Sequence, residues 1–327
     1  MNCIFCCVFN QDKYVDMFFL LLESIFIYGD LDHNTHILVY TSTQFMNKIK
    51  QSHLFNNEKI KFEINDTYNN IGKACYARLD LFNLPSVKNY SKILYLDTDI
   101  LVKDEINKVF DVCKKDILYV LEEGDINGNP HHWGKTLFGD EINNHKDKTA
   151  FTSGILLFNN CEKIKDLFNK INEDIVKRPY NFSCYDQPYV VYNAFKYNLY
   201  NNKILKTLAV NNDKNIHSDK VIHHFPGGPG VYEHKIDTMT IFLNRIKKIG
   251  FENKTYSWEN SSIKFLDKFK MDAFGAGTYK IIDKQNIIAN FGGRTHNISF
   301  NIDYTEFTST RKDDLQIVNG KVINYTL

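Results

Sequence analysis

Apolar and polar positions along the chain fall into two regimes. Over roughly the first two thirds, apolar runs suited to buried strands recur between stretches with helical spacing. Residues 2–9 are an almost unbroken apolar run, which predicts a strand buried on both faces. Residues 12–28 carry apolar side chains at helical spacing and stop at Gly29, a helix with its terminator. The same reading predicts strands at 36–40, 60–64, 93–96, 117–121 and 154–158. It predicts helices at 45–51, 75–82 (halted before Pro85) and 164–175. This βαβα order implies an α/β domain with a mostly parallel sheet and helices on both faces. After Trp258 the texture changes to short alternating segments at 278–282, 287–291, 296–302 and 315–325, punctuated by Gly, Asn and Asp. They predict a small C-terminal antiparallel β module. No repeat or low-complexity segment marks the junction, and the division into residues 1–255 and 256–327 rests on that change of pattern.

Composition narrows the function classes. Among 327 residues, 40 Lys+Arg balance 39 Asp+Glu and aromatics reach 14 %, which argues against disorder and against a strongly basic nucleic-acid-binding surface. The best candidate for a membrane span, 17–28, is short and interrupted by Glu23 and Ser24, and the apolar run 4–9 lacks the length and basic lead of a signal peptide. The expectation is a cytoplasmic chain without a transmembrane segment. The 7 cysteines show no disulfide pattern, and Cys3 and Cys6 form a Cys-X-X-Cys inside a buried strand without a second ligand pair. Triplets such as Asn65-Asp66-Thr67 and Asn181-Phe182-Ser183 read as chance in an Asn-rich chain.

Residues 91–102 carry the chemistry. An apolar run delivers Asp97 and Asp99, one residue apart, and turns apolar again at Ile100. In an extended segment the two carboxylates share a side, with Thr98 opposite. Two adjacent carboxylates at the end of a buried strand repel each other unless a cation sits between them. Oxygen ligands of this kind suit Mg²⁺ or Mn²⁺ and leave positions open for phosphates. In α/β sheets ligands collect beyond the carboxyl ends of the strands, where this triplet falls. Taken alone, an Asp-X-Asp also decorates turns.

Further stretches accompany the triplet: Val8-Phe9-Asn10-Gln11-Asp12-Lys13-Tyr14, Ala77-Arg78-Leu79, Phe151-Thr152-Ser153-Gly154, Asp186-Gln187-Pro188 and His223-His224-Phe225-Pro226-Gly227. With them the chain resembles, over roughly residues 2–245, the family-8 glycosyltransferases, glycogenin-like and galactosyltransferase-like retaining enzymes. The resemblance implies a GT-A-type, Rossmann-like nucleotide-diphospho-sugar transferase domain that moves a hexose from a UDP-sugar to a glycan or protein acceptor. It implies Mn²⁺ (or Mg²⁺) held by Asp97, Asp99 and His224, with His223 as the alternative histidine. It places Val8, Asn10, Gln11 and Tyr14 around the uridine, and Thr98 between the metal-binding carboxylates in the donor site. Arg78 faces donor phosphate or sugar, Thr152 and Ser153 the sugar, and Asp186 and Gln187 the anomeric carbon.

Relatives follow the His-aromatic-X-Gly unit with a Lys-Pro-Trp whose Lys meets the diphosphate. Here Gly230-Val231-Tyr232 stands instead, after Gly227-Gly228-Pro229. Backbone N–H groups of that segment from Gly227 onward, or Lys235 further along, are the candidates for the phosphate contact. The departure keeps a non-catalytic, nucleotide-sugar-binding scaffold as the alternative function. The β module is expected to recognise acceptor or to cover a sheet edge, with Arg294 and His296 at its surface. A homodimer stays open.

Overall fold

The structure, a computed structural model, describes residues 1–227, 232–248, 250–251, 254–266 and 269–325. Of the Gly-rich segment, Gly228, Pro229, Gly230 and Val231 lie outside the described residues. The chain divides into two compact units, one of residues 1–25 and 29–240, the other of residues 26–28 and 241–327.

The first unit is built on a seven-stranded sheet in the order β3-β2-β1-β4-β7-β6-β8. Its strands are β1 (Asn2–Val8), β2 (Thr35–Thr41), β3 (Ile60–Ile64), β4 (Lys92–Leu96), β6 (Leu118–Asp125), β7 (Thr149–Asn159) and β8 (Tyr200–Asn201). Strands β3, β2, β1 and β4 run parallel, and β8 runs parallel to β6. Only β7 opposes its neighbours, being antiparallel to both β4 and β6. The sheet is therefore mixed and mostly parallel, as expected. Because β7 is reversed, its first residues share an edge with the carboxyl ends of β1, β4 and β6. The apolar run of β1 is buried almost throughout, which is what a central strand of a parallel sheet requires.

A second, three-stranded sheet, β5 (Ile100–Val102), β10 (Ile222–His224) and β9 (Ala209–Asn211), stands beyond β4. Ser24, on helix Asp12–Tyr28, ties β5 in place: its hydroxyl donates to Leu21 O at 2.7 Å and accepts from Val102 N at 2.9 Å. The antiparallel β10–β5 register sets His224 opposite Ile100, directly after Asp99.

The segment expected as a helix at 75–82 is corrected: a short α turn, Ile71–Ala74, precedes 3₁₀ turns at Ala77–Asn83 and Pro85–Asn89. Bonds from Leu79 N to Tyr76 O and from Leu84 N to Leu81 O are of the tighter i→i+3 kind. Leu84 is extended ahead of Pro85, so α-helical bonding has no room to propagate.

In the second unit the C-terminal antiparallel strands close into a barrel of β11 (Lys254–Trp258), β12 (Ser261–Phe265), β13 (Lys270–Asp272), β14 (Ala276–Ile281), β15 (Asn286–Phe291), β16 (Arg294–Phe300), β17 (Glu306–Arg311) and β18 (Ile317–Tyr325). Alternation along each strand sends Tyr256, Trp258, Phe265, Phe300 and Phe307 inward to fill the interior. His296, expected at the surface, is buried instead: its ring stacks on Phe291 at 4.2 Å and its Nδ1 lies 3.3 Å from Ser309 Oγ. The alternation of β16 decides this: His296 is in phase with the buried Ile298 and Phe300, while Asn297 and Ser299 between them face outward. Among the described residues no helix is long and apolar enough to cross a membrane.

Candidate active site

The Asp97-Thr98-Asp99 triplet sits in the turn between β4 and β5, not in extended strand. The expected alternation therefore does not apply, and other contacts converge the carboxylates. Asp97 N donates to Gly154 O at 2.9 Å, and Phe225 N donates to Asp99 O at 2.9 Å. One donor atom each from Asp97, Asp99 and His224 lies within 4.8 Å of the others.

Three features fit this cluster to a divalent cation. First, His224 Nδ1 is 2.8 Å from Asn211 Oδ1, which leaves Nε2, 3.4 Å from Asp99 Oδ1, as the ring nitrogen turned toward the carboxylates and available to a cation. His223, its neighbour on β10, points its Nδ1 to Asp213 O at 3.1 Å. Second, Asp99 Oδ1 is buried without a hydrogen-bond partner among the described residues. Third, Gly154 leaves a gap between the ligands: a Cβ there would meet His224 Cε1 at 2.8 Å and Asp97 Oδ2 at 2.9 Å. A carboxylate–carboxylate–imidazole set suits Mn²⁺.

Lys235 enters the same cluster, its ammonium 2.5 Å from Asp99 Oδ2. Burial alone would raise the Asp99 pKa, but Lys235 and His224 outweigh it and hold the carboxyl well below its usual range. The expectation had Lys235 facing phosphate; in this structure it neutralises a candidate metal ligand.

Arg78 links the cluster to the next pair of residues. Its Nη1 donates to Ser153 O at 2.6 Å and lies 3.3 Å from Asp97 Oδ1, while Nε faces Asp186 Oδ2 at 3.1 Å. Burial disfavours the guanidinium charge, yet Asp186 and Asp97 raise its pKa overall. Its guanidinium also covers the ring of Tyr95, whose hydroxyl donates to Asp97. Asp186 is 2 % exposed, and burial, opposed by Arg78 and helped by Asp97, pushes its carboxyl up to about 6. Gln187 begins helix Gln187–Lys196. Its Oε1 accepts from Ser153 N at 2.9 Å and its Nε2 donates to His132 O at 3.3 Å. Thr152 Oγ1 accepts from Gly154 N at 3.1 Å.

These groups line one cavity of about 520 Å³ at the shared strand edge. It collects Asp97, Thr98, Asp99 and His224 at its centre, with Tyr14 and Arg78, and with Thr152, Ser153, Asp186 and Gln187 beyond them. Gly227 and Lys235 complete the expected set. Val8, Asn10 and Gln11 do not line it: Val8 is buried inside β1, Asn10 is half-buried with φ 76°, and Gln11 is exposed. The sequence reading missed Phe9, Glu123 and Trp133, which do line it, and Asn211, which orients His224. Trp133 could have been noticed as one of only 2 tryptophans, whereas Asn211 gives no signal in an Asn-rich chain.

The first unit is an α/β nucleotide-sugar transferase fold, and solved glycosyltransferases share it. The chain is similar to the bifunctional glycosyltransferase WbbM in its apo form (17 % identity, TM-score 0.52, covering 75 % of this chain and 51 % of that one). It is also similar to the galactosyltransferase LgtC bound to donor and acceptor sugar analogues (16 %, 0.51, 74 % and 96 %). Mouse xyloside xylosyltransferase 1 is a third likeness (13 %, 0.50, 69 % and 98 %). The chain thus spans about half of WbbM and nearly all of the other two. A search of curated protein sequences finds no match. The family model described as Glycosyl transferase family 8 matches residues 24–225, more than half of the chain, and the protein belongs to that family of glycosyltransferases.

Proposed function

We propose that the protein is a metal-dependent retaining hexosyltransferase that uses a UDP-sugar and passes the sugar to a hydroxyl of a glycan or protein. The supporting observation is the Asp97–Asp99–His224 cluster, with His224 fixed by Asn211 and clearance provided by Gly154. A bound Mn²⁺ or Mg²⁺ supplies Lewis acidity toward the departing diphosphate. The chain's own residues do the rest. Tyr14, on the cavity wall, receives the uridine, and Val8, Asn10 and Gln11, which do not line the cavity, support that end of the site from the close of β1 and the loop after it. Arg78, Thr98 and Gly227 hold donor phosphate or sugar, and Lys235 moves from Asp99 to the diphosphate when that charge arrives. Thr152 and Ser153 hold the sugar hydroxyls. Asp186 and Gln187 face the anomeric carbon, where the carboxylate stabilises developing positive charge. In the net reaction the bond from sugar C1 to the β-phosphate oxygen breaks, one from C1 to the acceptor oxygen forms, and UDP and the acceptor's proton leave. Residues 1–255 carry this chemistry, and the module of 256–327 is an appended unit.

The alternative, a nucleotide-sugar-binding scaffold without turnover, has one observation in its favour: Lys235 already neutralises Asp99. A UDP-release assay over a panel of UDP-sugars, with and without Mn²⁺, separates the two. Metal-dependent release with one preferred sugar, abolished in Asp99→Asn, supports the enzyme; binding without turnover, even with candidate acceptors present, supports the scaffold.

A further inference from the structure

The cavity has a wall that the donor-binding reading leaves unused. Across the sheet edge the order runs from β1, where the nucleotide is read, through β4 and its carboxylates, to the start of β7 and the end of β6. Thr152 and Ser153 occupy the β7 position. Glu123, near the carboxyl end of β6, and Trp133, in the loop that follows, lie one step further from the nucleotide.

This wall is built into the fold. The indole packs so closely on Gly124 that a Cβ there would lie 2.4 Å from Trp133 Cζ2, and Gly124 itself has φ +65°. The residue after the indole, Gly134 (φ +81°), rests on helix Gln187–Lys196, where a Cβ would meet Pro188 O at 2.6 Å. The His132 carbonyl accepts from Gln187 Nε2 at 3.3 Å, and the His132 ring stands edge-on to the indole at 5.7 Å. The loop is thus fastened to a residue assigned to the anomeric carbon. Glu123 is half-buried at the cavity and makes no hydrogen bond or ion pair among the described residues. A carboxylate left without protein partners in a partly desolvated wall is suited to hydrogen bonds from a ligand.

We propose that Trp133 and Glu123 form the acceptor subsite and that the acceptor is a carbohydrate, a pyranoside laid by its C–H face on the indole with its hydroxyls donating to the Glu123 carboxylate. The assignment rests on the donor reading above, which places the reactive sugar at Asp186 and Gln187. An aromatic plane beside a carboxylate matches a sugar ring, which offers an apolar face and a rim of hydroxyl donors. A rigid indole gives contact area at small entropic cost. A lipid chain would find Glu123, His132 and Ser183 in its path.

The test uses the full chain loaded with UDP and Mn²⁺, titrated with maltose, lactose and cellobiose while tryptophan emission is followed. UDP affinity is measured alongside by calorimetry. Trp133 and Trp258 are the 2 tryptophans, and Trp258 is buried in the barrel. The expected result is a saturable emission change with at least one disaccharide, retained in Trp258→Phe and absent in Trp133→Phe. In Glu123→Gln, a near-isosteric change, half-saturation weakens about tenfold with UDP affinity unchanged. No response to any disaccharide, as for a protein acceptor, would overturn the proposal. So would a response carried by Trp258, or a parallel loss of UDP affinity in Glu123→Gln. A disaccharide response persisting in a protein that does not bind UDP would leave the subsite standing and remove the donor reading.

Discussion

The Lys235 ammonium lies 2.5 Å from Asp99 Oδ2, with the two side chains 10 % and 11 % exposed. Removing one partner of a buried pair leaves the other charge uncompensated. Lys235→Met should therefore cost about 3–5 kcal/mol of stability in the absence of a divalent cation. If the cation and Lys235 compensate the same carboxylate, Mn²⁺ should raise the melting temperature of the variant more than that of the wild type. Thermal melts with and without Mn²⁺ check both statements, and equal metal-free melting would contradict the first. The Asp99 carboxyl is depressed below its unfolded value of 3.8, so the pair's contribution is present above that pH and fades as pH falls toward the lower folded value.

Asn211 does not touch the carboxylates, yet its Oδ1 engages His224 Nδ1 and leaves Nε2 turned toward them. Asn211→Leu keeps similar volume and removes that acceptor. Second-sphere losses of this type weaken metal binding by about 10–100-fold. A Mn²⁺ titration of UDP release, alongside Mn²⁺ binding followed by paramagnetic resonance, should show that shift with the fold intact. Unchanged Mn²⁺ affinity would separate Asn211 from the metal site.

Asp186 should impose a pH dependence. Its folded carboxyl is raised from 3.8 to about 6, so the folded protein holds the proton more tightly than the unfolded chain. The resulting stability is complete below 3.8 and declines as pH rises to about 6, by on the order of 3 kcal/mol. Asp186→Asn should flatten this limb in melts recorded between pH 4 and pH 7. Because the ionised form is the one proposed to act, UDP release should rise through about pH 6. A flat profile across that range would remove Asp186 from the role.

The sequence announced the framework where one physical requirement dominated. The buried run of β1 and the helix Asp12–Tyr28 were legible because continuous apolarity and helical spacing have few other readings. Asp97 and Asp99 were legible as a pair, although the expected strand geometry was replaced by a turn. What escaped depends on long-range register. His224 faces the carboxylates and His223 faces Asp213 because neighbours on β10 point to opposite sides, and only its pairing with β5 fixes which side is which. Asn211 reaches His224 through the β9–β10 pairing, and Trp133 reaches the cavity wall through glycine contacts that leave no periodic trace. In the β module, β11–β13 and β17 were missed because short strands with Lys, Ser and Thr on the outer face give weak alternation. His296 was misjudged on its polarity, although its strand was legible and its position is in phase with the buried Ile298 and Phe300.

Closure of the C-terminal strands limits how that module can recognise anything. Strand β18 pairs with β11 as well as with β17, so the ring has no first or last member whose amides are left for an incoming peptide. Capture by strand addition is therefore unavailable, and a binder must be read by side chains on the outer wall or by the hairpin tips. Mutational searches for its ligand belong at outward residues such as Phe274, 61 % exposed at a tip between β13 and β14.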